Sequence, residues 1–148
     1  MTPSNKRFIL KQLKANRIMS LATVRPDGYP QATTVAYAND GLMLYFACDR
    51  NGQKVRNLRR SSKVSLTINK DTANWKKITG LSMGATAKIL ERPADTKRAL
   101  ALLSRKFKDM KGLSAEDLVE TAFVRVQPKV ISMLDYRRDF GWTKLVRV

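Results

Sequence analysis

The 148 residues contain no histidine. A catalytic triad or metal site built on imidazole is therefore excluded, and the commonest general base near neutral pH is missing. Cysteine is almost as scarce. Cys48 stands alone, so the chain has no internal disulfide and no paired thiolates at metal-ligand spacing. Acidic residues are few: 12 Asp and Glu face 29 Lys and Arg, giving a formal net charge of +17. Long apolar runs are also lacking. The amino-terminal "MTPSNKRFILKQLKANR" has no apolar stretch of the signal-peptide kind, and no later run is long and charge-free enough to cross a bilayer as a helix. A cytoplasmic protein with no membrane partner is the expectation. Any redox chemistry must come from other side chains or from a bound cofactor.

The composition, with 43% hydrophobic and 28% charged residues, is that of a globular chain, and its length suits one domain over residues 1–148. The positive field attracts nucleic acid, acidic membrane surfaces and phosphorylated small molecules alike. Yet the cations run from Lys6 to Arg147 instead of gathering in a tail. Without an RNP pattern, zinc spacing or a helix-turn-helix beside them, they read as a solvated surface, and specific nucleic-acid binding is not expected.

The spacing of Phe8, Ile9 and Leu13 predicts a helix over 4–16, with Ser4 as its cap and Asn16 as a left-handed stop. Strands are predicted at 18–24 and 31–38, joined by the turn "RPDGYP", and a second turn at "NDG" leads into "LYFAC". Val64, Leu66 and Ile68 mark a further strand. The long extended stretch "WKKITGLSMGATAKILE" places Leu81, Met83, Ala85, Ala87 and Ile89 on one face and Gly80 and Gly84 on the other. Such glycines signal either sheet curvature or close access of a ligand. Pro93 opens a helix carrying Ala99, Leu102, Leu103 and Phe107, "SAEDLVE" gives one more turn, and "TAFVRVQP" and "KVISMLDY" read as two closing strands. Abundant hairpins favour an antiparallel barrel with peripheral helices over a doubly wound sheet.

The stretch "LYFACDRNGQKVRNLRR", residues 44 to 60, joins two of these pieces. Its two-residue period ends near Asp49, and Val55 and Leu58 then recur at helical spacing among Lys54, Arg56, Arg59 and Arg60. A strand hands over to a helix start. Free N–H groups and the positive end of the helix dipole make that start an anion site, with Lys54 in its first turn.

In their order, "SLATVRPDGYPQATTVAYANDGLMLYFACDRNGQKVRNLRRSSKVSLTI", "GATAKILE", a helix ending "RKFKDM", and "VQPKVISMLDYRRDFGW" resemble the FMN-binding split-barrel proteins related to pyridoxamine 5'-phosphate oxidase. The resemblance spans nearly the whole chain. It implies a mainly β fold, an antiparallel split β-barrel of the FMN-binding type, and a homodimer with flavin at the subunit interface. Position by position, Lys54 matches the lysine that holds the FMN phosphate. Gln53 stands where an arginine usually does, leaving Arg50 or Arg56 to supply a second charge. Thr33, Thr34 and Val35 match the segment lining the flavin ring and phosphate. Cys48 matches a strand-end position that is commonly threonine or serine. Thr79 matches a position near the ring, and Trp142 one where many relatives carry histidine.

The ordinary alternatives are a solvated Lys54, strand-forming Thr33 and Thr34, a buried inert Cys48, and a packing role for Trp142. The resemblance implies an FMN-dependent oxidoreductase acting on a small molecule. The ending "GWTKLVRV" lacks the Arg- and His-bearing segment that the oxidases use for substrate phosphate, which argues against pyridoxamine phosphate itself. A deazaflavin-dependent reductase is the nearest alternative, since related barrels keep the Lys54 to Arg60 arrangement. A non-enzymatic flavin- or nucleic-acid-binding protein is the alternative from another class, resting on the charge.

Overall fold

The computed structural model describes residues 1–148. Helix α1 (Pro3–Ala15) leads into strands β1 (Ile18–Val24), β2 (Pro30–Ala36), β3 (Ala38–Asp40) and β4 (Met43–Asp49). Helix α2 (Gln53–Arg60), strands β5 (Lys63–Asn69) and β6 (Thr79–Ile89), helices α3 (Pro93–Lys106) and α4 (Ala115–Val119), and strands β7 (Thr121–Asp135) and β8 (Thr143–Arg147) follow. All strand pairs are antiparallel, in the order β2-β1-β5-β6-β7-β4-β3, with β8 added on β7.

One residue forces this sheet to curl. Strands β2 and β3 lie at opposite ends of the pairing order, yet only Tyr37 separates them in the chain. Two residues along a chain span at most ~7 Å, so the two edge strands must meet at that corner. Tyr37 fills the corner: it is fully buried, and its hydroxyl donates to the Leu13 carbonyl at 2.8 Å. The result is an open, curled antiparallel half-barrel, in keeping with the split-barrel expectation. Its inner face carries Met19, Leu21, Leu66, Ile68, Leu81 and Met83, and the buried side of α1, Ile9 and Leu13, closes the core.

Differences from the sequence expectations have local causes. Helix α1 is capped by Thr2 instead of Ser4, the Thr2 hydroxyl accepting from the Asn5 N–H at 3.2 Å. Asn16 is extended, with φ −113°, and is no left-handed stop. Its amide donates to the Gln12 carbonyl at 2.8 Å, while Lys106 Nζ donates to the carbonyls of Asn16 (2.6 Å) and Leu13 (3.3 Å). Side chains therefore close this helix end.

"TAFVRVQP" and "KVISMLDY" form one strand, not two. Pro128 lacks the N–H a ladder needs, but it falls between the part of β7 that pairs β4 (121–126) and the part that pairs β8 (130–134). A register shift there sets Gly84 against Val130 and Ala85 against Pro128. That bulge bends the strand without ending it. The two glycines serve curvature and close packing: a Cβ on Gly80 would lie 2.7 Å from the Ile68 carbonyl oxygen, and one on Gly84 3.1 Å from Val130 Cγ1. Trp75–Lys77, expected to be extended, forms a turn of 3-10 helix instead.

Candidate functional site

The strand-to-helix passage lies where the sequence places it. Strand β4 ends at Asp49, Gly52 is the N-cap of α2, and Lys54 is the second helical residue. Gly52 has no side chain to cap the helix, so the N–H groups of the first turn keep no side-chain acceptor. They open onto a cavity of about 220 Å³ lined by Thr23, Gln31, Thr33, Cys48, Asp49, Gly52, Gln53 and Lys54.

Four of the expected residues thus meet there: Thr33, Cys48, Gln53 and Lys54. Thr33 Oγ is the one buried side-chain nitrogen or oxygen in the chain with no hydrogen-bond partner. Leaving a hydroxyl dry and unpaired costs ~1–3 kcal/mol, a cost that an acceptor from outside the chain would remove. Lys54 is half-buried and makes no ion pair with any carboxylate. Cys48 packs against the core. Burial pushes its thiol pKa up, with Lys54 opposing the shift and Asp49 adding to it, which keeps the sulfur protonated and inert. Gln53 is occupied: its amide nitrogen donates to Asn57 Oδ1 at 2.8 Å, and its oxygen accepts from Arg56 Nη2 at 2.9 Å.

Neither Arg50 nor Arg56 lines this cavity. Arg50 donates to the carbonyls of Val119 (3.1 Å) and Thr121 (3.1 Å), holding the end of β4 to the α4–β7 connection. Arg56 turns to the Asn51 carbonyl at 2.6 Å and to Gln53. The cation of the cavity is Lys54.

Sequence reasoning missed the support beneath. Asn57 is fully buried, and its amide donates to Thr23 Oγ1 and to Gln31 Oε1, each at 3.0 Å. With the Gln53 bond, this ties the first two turns of α2 to β1 and β2. A signal was present: Thr23 follows Met19 and Leu21 on the inward face of β1, a place where a hydroxyl needs a partner.

The remaining expected residues lie elsewhere. Thr34 faces outward from β2 beside Thr33, and Val35 is buried in the core. Thr79 begins β6, whereas Ala22 on β1 is level with Ser65 and so with Gly84; five residues of strand separate them, ~17 Å. Thr79 lines a separate cavity of about 690 Å³ with Lys70, Asp71, Thr72, Asn74, Lys76, Lys77 and Arg137. Trp142 is half-buried against the core, with the Arg138 guanidinium 4.6 Å from its ring centre. Arg138 is held in turn by Asp135, whose carboxyl is kept below the usual range chiefly by its bonds to Arg137.

The sequence model of the pyridoxamine 5'-phosphate oxidase family matches residues 6–135. The chain belongs to that family. No protein of curated function matches it in sequence. Among solved structures, a conserved hypothetical protein of Mycobacterium tuberculosis is similar at 24% identity and TM-score 0.77, covering 100% of this chain and 92% of its own. A protein of Clostridium acetobutylicum related to general stress protein 26, of the pyridoxinephosphate oxidase family, has 16% identity and TM-score 0.75, with 97% and 96% covered. The heme storage protein of Vibrio cholerae has 19% identity and TM-score 0.67, with 81% and 87% covered. At these identities the likeness shows the fold.

The unpaired hydroxyl gives a two-sided prediction. Thr33→Val, nearly isosteric, removes a buried group that has no partner, so the ligand-free protein should gain up to ~1 kcal/mol in urea unfolding. Any ligand that bonds the hydroxyl should bind more weakly. A loss of stability on this substitution would show that the hydroxyl is satisfied in the free protein.

Proposed function

We propose that the chain is a flavin-dependent oxidoreductase that holds FMN by its phosphate at the start of α2 and works as a homodimer. The observation that carries this reading is the unpartnered Thr33 hydroxyl beside Lys54. A dianionic phosphate brings acceptor oxygens for that hydroxyl, for the Lys54 ammonium and for the free N–H groups of the helix start. Asp49 opposes an anion there, but its carboxylate is engaged by the Asn51 N–H at 2.9 Å.

A cavity of about 220 Å³ falls below the ~300–1,000 Å³ of small-molecule sites. In this reading it holds one end of the cofactor and a second chain covers the rest, and one face of the sheet suits that chain. On a protein with 29 cationic residues, one outward row crosses six strands without a charge: Thr34, Ser20, Thr67, Ser82, Ser132 and Leu145. Ile18, 55% exposed, and Leu145, 66% exposed, add apolar area to this face. Pairing two such faces accounts for why Thr79 and Trp142 lie far from Lys54 of their own chain: the partner's copies of that end would complete the site.

Bound FMN would supply hydride or electron transfer to a small-molecule substrate. The chain's own part is to fix the phosphate with Lys54 and Thr33, to keep water from the buried side with Cys48 and the core, and to hold α2 in place through Asn57. No side chain here is assigned as acid or base. Heme, which the Vibrio relative stores, would need a ligand other than histidine here, and the Lys54 cavity favours a phosphate-bearing cofactor over it.

The test is the visible spectrum after incubation with FMN and desalting, with the mass in solution measured in parallel. A retained flavin band on a dimer is the expected result. A protein that retains deazaflavin but not FMN would make it a reductase of the other cofactor class. Retention of neither, with polyanion binding that survives physiological salt, would overturn the enzyme reading.

A further inference from the structure

A further cavity shares no residue with the one at the start of α2. It has about 460 Å³ and runs between α1 and α3 over β3, lined by Leu10, Lys14, Ala38, Asn39, Leu102, Arg105 and Lys106. Its floor is apolar and its rim is cationic. No carboxylate lines it, and none of Lys14, Arg105 and Lys106 makes an ion pair. The nearest acid along β3, Asp40, is taken by Arg98.

Lys106 is built into this groove. Its ammonium donates to the Asn16 and Leu13 carbonyls and stands 4.0 Å over the Tyr37 ring centre, with no carboxylate to balance its charge. Arg17 and Tyr37 face it, and Lys14 and Arg105 line the same groove; burial, with Arg17 adding to it, pulls its pKa down to about 8. Several cations held together beside apolar surface, with no counter-charge from the chain, call for a ligand that has both an anion and an apolar body.

We propose that the groove between α1 and α3 binds an amphipathic carboxylate, its head between Lys14, Arg105 and Lys106 and its hydrocarbon body against Leu10, Leu102 and Ala38. The volume lies within the range of small-molecule sites. The site is independent of the flavin reading, because it shares no residue with the Lys54 cavity.

The probe is octanoate, with acetate and inorganic phosphate beside it, read by NMR of the lysine side chains, where Lys106→Arg identifies the Lys106 signal. Octanoate should shift that signal saturably and raise the pH at which it titrates. Acetate should need roughly ten-fold more or beyond, because each methylene removed from water favours binding. Lys14→Ala combined with Arg105→Ala, both exposed positions, should abolish the saturable shift, and Lys54→Ala should leave it intact. Equal effects of acetate, phosphate and octanoate would reduce the groove to charge screening. An octanoate shift that survives the double substitution, or that disappears with Lys54→Ala, would place binding elsewhere and overturn the proposal.

Discussion

Lys54→Ala will weaken FMN binding by about 10- to 100-fold and leave the fold untouched. A hydrogen bond to a charged group contributes ~1.5–3 kcal/mol, and ~1.4 kcal/mol is a factor of ten in affinity. Lys54 is the cation of its cavity, since Gln53 is neutral and both Arg50 and Arg56 are turned to backbone carbonyls. No other residue can take its place. Being half-buried and without a hydrogen-bond or ion-pair partner in the chain, its removal should change stability by no more than ~0.5 kcal/mol. Titration of the apoprotein by quenching of flavin fluorescence, with urea unfolding as the control, separates the two effects. Lys54→Arg should recover part of the affinity by restoring the charge. Unchanged affinity in Lys54→Ala would remove the phosphate from the α2 start, and with it the proposed function.

How much of this was legible in the sequence depended on the range of the interaction. Strand β1 falls over 18–24 as expected, because Met19, Leu21 and Thr23 alternate with outward residues and a turn follows at once. The start of α2 was legible for a similar reason: the change of period and Gly52 both act within a few residues. Strand β7 was misread at Pro128. Whether a proline breaks a strand depends on which neighbours need its N–H, and β4 and β8 are remote in sequence.

The same limit applies to the site. Arg50 looked free for a phosphate because nothing nearby in the chain claims it. Its carbonyl partners, Val119 and Thr121, lie some seventy positions away. Gln53 stands where the resemblance expects an arginine, and in the folded chain it joins the buried amide of Asn57 under the helix start. The cationic groove between α1 and α3 was invisible for the same reason, since Lys14 and Lys106 approach only through the tertiary fold. Charge spread evenly along a sequence can still converge in space.

That buried amide bears the other large expectation. Asn57→Ala should destabilise the protein by about 3 kcal/mol, the scale of leaving several buried polar groups unpaired. Asn57 Nδ2 serves both Thr23 and Gln31, and its Oδ1 serves Gln53, with no part of the side chain exposed. Alanine leaves three polar groups without their partner and a hole where the amide stood. At ~2–4 °C per kcal/mol for a chain of this size, the midpoint of thermal unfolding should fall by roughly 6–12 °C. Gln53→Ala, which removes one bond to Asn57 and the exposed ones that its oxygen accepts from Arg56, should cost only ~1 kcal/mol. Because the network also sets the angle of the first two turns of α2 against β1 and β2, the surviving folded Asn57→Ala protein should bind FMN more weakly although it keeps Lys54 and Thr33. Affinity measured well below the unfolding midpoint separates that effect from loss of fold. If Asn57→Ala costs no more than Gln53→Ala, water replaces the amide and the network is not what holds the helix start in register. If it is destabilised but binds FMN with full affinity, the phosphate does not depend on how α2 is seated, and Lys54 must reach it by side-chain length alone.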